Sequence, residues 1–150
     1  MEFNIENIVR ENIKKMTAYS SARHEFTGEA TIFLDANENS FGSPLPGIEG
    51  KVISYNRYPD PLQQKVKEKI STIKGVPTQN IFLGNGSDEA IDLLFRIFCE
   101  PGKDNAIIFP PTYGMYEVCA EMNDVEIKKI PLTDTFQLDL EAIEQLIDPN

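Results

Sequence analysis

Apolar positions recur along the first part of this chain in a broken pattern. Residues 4–16 carry Ile5, Ile8, Val9, Ile13 and Met16, an i, i+3, i+4, i+8 spacing that predicts an amphipathic helix. No period holds from Thr17 to Ser54. Residues 31–35 predict a short strand, and residues 39–50, rich in Gly, Pro, Ser and Asn, predict a loop. Order resumes after Tyr58-Pro59-Asp60-Pro61, where Asp60 reads as an N-cap and Pro61 as a first helical residue. Leu62, Val66, Ile70 and Ile73 then mark one helical face, and Gly75 ends it.

From there strands and helices alternate. A strand at 81–83 leads to a helix at 87–99, a strand at 105–109 to a helix at 113–123, and a strand at 125–131 to a helix at 139–147. The helical stripes are Ala90, Ile91, Leu94 and Phe98; Met115, Val118, Cys119 and Met122; and Leu140, Ile143, Leu146 and Ile147. This alternation predicts an α/β fold with a mainly parallel sheet flanked by helices.

Composition narrows the function classes. The 150 residues are 41% hydrophobic, enough to supply a core. Against 24 acidic residues stand 14 basic ones, a net charge of −10. Such a surface repels nucleic acid and anionic membrane, so neither is expected as a partner. Lys65, Lys67, Lys69 and Lys74 are interleaved with Glu68 and read as a solvated helix face. No apolar run is long enough to span a membrane, and the N-terminus has no leader-like stretch. Cys99 and Cys119 are isolated in apolar helical contexts and read as buried thiols, not as metal ligands or a disulfide. The expectation is a cytoplasmic protein with no metal site.

Candidate chemistry centres on Gly84-Asn85-Gly86-Ser87-Asp88-Glu89, between a strand and a helix. A dinucleotide fingerprint would need glycine where Glu89 stands, and a P-loop would need a lysine; neither pattern is met. Two readings stay open. The loop holds one phosphate on backbone N–H groups with the Ser87 hydroxyl as an added donor, or Gly86 and Ser87 merely turn and cap the helix while Asp88 and Glu89 complement its dipole.

Pro110-Pro111-Thr112-Tyr113 follows a strand, at the end of the sheet where α/β proteins collect ligands. Tyr113 there either stacks on a planar ring or packs on its own domain. Tyr58 has the same two readings. Leu34-Asp35-Ala36-Asn37-Glu38-Asn39 and Tyr19-Ser20-Ser21-Ala22-Arg23 read locally as a polar loop and a helix exit. His24 has no neighbouring acid or nucleophile and reads as a surface residue.

Together these segments, with Arg57-Tyr58-Pro59-Asp60-Pro61, Cys99-Glu100-Pro101-Gly102-Lys103-Asp104 and Pro111-Thr112-Tyr113-Gly114-Met115-Tyr116, stand in one order nearly end to end. They resemble the N-terminal part of histidinol-phosphate aminotransferases, fold-type-I enzymes that use pyridoxal 5′-phosphate. Ser40-Phe41 departs from the proline that often continues the asparagine-rich segment.

The resemblance implies an N-terminal helix and arm over 1–54 and the first part of the large cofactor-binding domain over 55–150. It implies that Gly86, Ser87 and Asp88 cradle the cofactor phosphate and that Tyr113 stacks on the pyridine ring. Tyr58 would reach the phosphate of the other subunit of a homodimer, and Tyr19 and Asn37 would contact substrate. The implied reaction converts L-histidinol phosphate and 2-oxoglutarate to imidazole-acetol phosphate and L-glutamate, in histidine biosynthesis. Alternatives are another fold-type-I enzyme, such as an aromatic aminotransferase or phosphothreonine decarboxylase, or a non-catalytic module built on the scaffold.

In this family the Schiff-base lysine, the acid partner of the pyridinium nitrogen and the substrate-carboxylate arginine lie further along the chain. No lysine here stands in a matching motif, so no catalytic residue is assigned. The family's sheet also interposes later strands between those matching 81–83 and 105–109. The 150 residues alone are therefore expected to form an incomplete sheet, to be unstable or rearranged, and to be inactive.

Overall fold

The computed structural model describes residues 4–20, 25, 26, 28, 31–45 and 54–147. His24 and the Ser21-Ala22-Arg23 part of the tyrosine–serine segment lie outside the described residues. The chain divides into two compact units, one of Met1–Met16 with Phe82–Asn150 and the other of Thr17–Ile81.

The first unit contains helix α1 (Glu11–Lys14), helix α3 (Gly86–Phe98), strand β1 (Asn105–Ile108), helix α4 (Met115–Met122), strand β2 (Glu126–Lys129) and helix α5 (Leu140–Leu146). Helix α2 (Gln64–Lys74) belongs to the second unit. The first unit's core forms where α3 and α4 present small and apolar residues to each other. Ile91 and Phe95, one turn apart on α3, are buried with Cys119 and Ala120 of α4 and Val125 at the entry to β2. Cys99, Ala106, Met115 and Ile127 pack around them. Both cysteines are free thiols, Cys119 buried and Cys99 partly so.

β1 and β2 pair in parallel, from Asn105 opposite Glu126 to Ile108 opposite Lys129. The ladder is prolonged by Ile130 N–H to the Ile108 carbonyl (3.0 Å) and Leu132 N–H to the Pro110 carbonyl (2.8 Å). The two α3–α4 faces are also stitched by Asp92, which accepts from Arg96 Nε at 2.7 Å and Asn123 Nδ2 at 2.8 Å. Those two bonds, Arg96 first, hold its carboxyl below the usual range. The α/β class and the parallel pairing therefore match the sequence expectation, and among the described residues the sheet is open, with two strands.

Several elements differ from expectation. Residues 4–16 do not form one helix: a 3-10 turn at Ile5–Asn7 is separated from α1 by an extended Arg10. Tertiary bonds explain the break. The Arg10 N–H donates to the Ile97 carbonyl (3.0 Å), and its guanidinium donates to the Arg96 carbonyl (2.9 Å) and to both Glu100 oxygens (3.0 and 3.2 Å). Arg10 thus caps the C-terminal end of α3, where free carbonyls favour a cation. No strand forms at 31–35. The strand expected at 81–83 does not form among the described residues, although Ile81 has an extended backbone. Leu94, Val118 and Met122, which the period places on apolar helical stripes, are exposed.

In the second unit α2 starts later than Pro61. Gln63 adopts a left-handed backbone (φ 52°), and Asp60 accepts from Leu62 N–H (3.0 Å) and Gln64 N–H (2.8 Å). The N-cap is therefore Gln63 and not Asp60, and Pro61 lies in the preceding turn and not in the first helical turn; the Asp60 carboxylate still accepts from the first helical N–H across that turn. Gly75, left-handed at φ 67°, ends the helix as expected. A 3-10 turn at Thr78–Asn80 had no sequence signal.

Candidate active site

The glycine turn leads straight into α3. Gly86 has φ 72°, a region that strains any residue with a Cβ, and its N–H bonds the Gly84 carbonyl at 3.0 Å. The N-cap position is held by Asn85 and not by Ser87, which lies within the helix, and Asn85 makes no side-chain cap bond. Glu89 instead folds back, and its Oε2 accepts from the Asn85 N–H at 2.6 Å. Glu89 packs so closely on Gly84 that a Cβ there would stand 2.6 Å from that oxygen.

With Asn85 and Gly86 satisfied, the N–H groups of Ser87 and Asp88 meet no acceptor among the described residues. They are the free donors of a helix N-terminus, where partial positive charge accumulates. Two N–H groups and a hydroxyl make a donor set suited to one phosphate group. The carboxylates of Asp88 and Glu89 are engaged laterally, on Tyr113 and Asn85.

Tyr113 lies in the loop between β1 and α4, after the cis Pro110-Pro111 bond. Its hydroxyl donates to Asp88 Oδ2 at 3.3 Å, and its ring meets Tyr116 edge-on at 6.5 Å. Tyr113 as a whole is 54% exposed, which leaves it accessible to a flat ligand. The structure thus brings Gly86, Ser87, Asp88 and Tyr113 together at one end of the first unit.

Tyr19, Asn37 and Tyr58 lie in the other unit. All three are exposed, Tyr19 at 90%. Asn37 holds a left-handed backbone (φ 49°), which asparagine tolerates. Glu38, next to it, accepts from the Tyr58 N–H and from Arg57 Nη1, each at 2.8 Å.

Sequence reasoning gave Glu38 and Glu89 no site role. For Glu89 the signal pointed one residue off: a capping box returns the acid three residues after the cap, here Asp88, whereas it is Glu89, four residues after Asn85, that accepts from the cap N–H. Among the described residues no cluster of side chains could hold a metal ion. A groove of about 540 Å³, lined by Lys103, Asp104, Glu117, Glu121, Asp124 and Lys129 among others, includes none of the predicted residues.

The family profile for aminotransferase class I and II matches residues 32–150. The chain belongs to that family. Among curated aminotransferases, it is 55% identical over 143 residues to the histidinol-phosphate aminotransferase of Cytophaga hutchinsonii, covering 95% of this chain and 39% of that protein. To the histidinol-phosphate aminotransferase of Parabacteroides distasonis it is 50% identical over 145 residues, covering 97% of this chain and 39% of that one. The same enzyme of Flavobacterium johnsoniae is 50% identical over 151 residues, with 99% and 40% covered. The chain thus spans about 39% of the length of these aminotransferases. It also superposes on a crystal structure of a Burkholderia pseudomallei protein at TM-score 0.49 and 25% identity, over 61% of this chain and 27% of the other, a likeness too slight to bear on the fold.

Proposed function

We propose that this chain is the N-terminal portion of a histidinol-phosphate aminotransferase that uses pyridoxal 5′-phosphate. The observation that carries the reading is identity of 50–55% over nearly the whole chain to aminotransferases of that name. The local chemistry supports it: two free N–H groups suit a phosphate, and an exposed tyrosine stands on the same unit.

In this reading Ser87 and Asp88 hold the cofactor phosphate through backbone N–H groups, with Gly86 allowing the chain to turn beneath it. Tyr113 lies against the pyridine ring, oriented by its bond to Asp88. Tyr58 reaches the phosphate bound by the partner subunit of a homodimer. Tyr19 and Asn37 contact the amino-acid or keto-acid substrate. When bound, the cofactor supplies the electron sink for moving an amino group between L-glutamate and imidazole-acetol phosphate. No helix among the described residues is long and apolar enough to cross a membrane, and a cytoplasmic location is part of the proposal.

Exposed apolar residues on the first unit's helices, Leu94, Val118, Met122 and Leu140 among them, fit a domain whose remaining layers come from further chain. The test is to express the reading frame that encodes this chain, taken to its stop codon, and supply it with glutamate and imidazole-acetol phosphate. Formation of histidinol phosphate and 2-oxoglutarate, with growth of a histidine auxotroph lacking this activity, is expected. Turnover of aromatic keto acids with none of imidazole-acetol phosphate would move the assignment to an aromatic aminotransferase.

A further inference from the structure

Glu38 sits in exposed, irregular chain, yet its own side chain is only 5% exposed. Its two oxygens serve consecutive residues 19 and 20 positions later: Oε2 accepts from Arg57 Nη1 and Oε1 from the Tyr58 N–H, each at 2.8 Å. Beside them Asn56 Nδ2 donates to the Asn39 carbonyl at 2.8 Å. Three bonds of this length thus hold residues 56–58 against residues 38–39. A carboxylate withdrawn from water is tolerated when its oxygens are paired and hydrogen-bonded, as they are here. Ionised carboxylate is the side chain that offers two acceptors to a guanidinium and a backbone N–H at once.

We propose that Glu38 is a positioning residue. It fixes the backbone of Tyr58 against the Asn37 turn, so that the Tyr58 phenol is presented to the cofactor phosphate in one orientation. This rests on the cofactor role proposed above for Tyr58. Glu38 does not itself touch cofactor or substrate; it acts through the Tyr58 N–H. A shorter side chain keeps the charge but not the reach, since aspartate falls short by about one carbon–carbon bond, ~1.5 Å.

The experiment uses the protein translated to its stop codon and compares Glu38→Asp, Tyr58→Phe and the double variant. Cofactor dissociation constants are read by absorbance titration of the apoprotein with pyridoxal 5′-phosphate. Each single variant is expected to weaken binding by about tenfold, the scale of one charge-assisted hydrogen bond. The double variant is expected to weaken it by no more than about tenfold, because both changes remove one contact.

If Tyr58→Phe weakens binding and Glu38→Asp does not, or if the two effects multiply, the positioning role falls while the Tyr58 role stands. If Tyr58→Phe itself leaves the constant unchanged, both fall. A purely structural role would lower the melting temperature of Glu38→Asp without moving the constant, and that result also overturns the proposal. Should Glu38→Asp not fold, Glu38→Gln keeps the shape and one acceptor: a smaller weakening is expected, and unchanged affinity counts against the proposal.

Discussion

Tyr113 donates its hydroxyl to Asp88 Oδ2 across 3.3 Å, joining the loop after β1 to the first turn of α3. That bond, followed by partial desolvation and the Asp88 charge, raises the Tyr113 phenol above the usual tyrosine range. Ionisation would break the bond and set two anions side by side. Because the folded value is raised, any stability the pair adds is present below the ordinary phenol range and is lost as pH rises through the raised value. In an ultraviolet pH titration of the protein taken to its stop codon, Asp88→Ala is expected to bring one tyrosine down to the ordinary range. Superimposable titration curves for the two proteins would refute the link.

Gly84 tests the loop from the other side. An alanine methyl there would stand 2.6 Å from Glu89 Oε2 and 2.7 Å from Phe82 Cε1, both ends of flexible side chains that can swing away. The steric cost is small, and the loss is the Glu89 bond to the Asn85 N–H. Gly84→Ala and Glu89→Ala are each expected to cost about 1 kcal/mol, with the double variant costing little more than either. Fully additive losses in chemical denaturation would show that Gly84 and Glu89 are independent.

Arg10 anchors the N-terminal segment. Its side chain is 16% exposed and reaches Glu100 and the Arg96 carbonyl together. Lysine lacks the planar fork for that arrangement. Arg10→Ala and Arg10→Lys are both expected to lose about 1–3 kcal/mol of local stability. Hydrogen exchange at residues 11–16 should quicken about ten- to a hundredfold in both, and wild-type protection in Arg10→Lys would contradict the fork argument.

The 150-residue chain by itself buries few side chains, Ile91, Phe95, Ile108, Cys119, Ala120, Val125 and Ile130 among the described residues. Such a core is small against the conformational entropy of ordering a chain of this length. The isolated chain is expected to bind hydrophobic dyes and to melt without a cooperative transition. A sharp calorimetric peak would overturn this.

The elements α3, β1, α4 and β2 were legible in the sequence because the apolar period there meets tertiary burial at Ile91, Phe95, Ile108, Cys119 and Val125, whereas α5 was legible from its period alone and buries no residue. Leu94 and Val118 show the limit: a period identifies an apolar face but not whether something covers it. Residues 4–16 misled because Arg10 trades a helical bond for bonds to residues 96, 97 and 100, partners no local pattern reveals. The grouping of Ser87, Asp88 and Tyr113 was foreseeable, since both loops lie between an extended segment and a helix. Glu38 was not, as its partners lie 19 and 20 positions away and its burial is set by them.

The Arg10 anchor also changes the topology of everything between Met16 and Phe82. Both ends of residues 17–81 return to the same compact unit, so the second unit is an insertion tethered twice. Closing so long a loop adds an entropic cost that grows only slowly with its length. Tyr19, Asn37 and Tyr58 therefore ride on a segment held at both ends, and cutting the Arg10 bonds would loosen one of its two tethers.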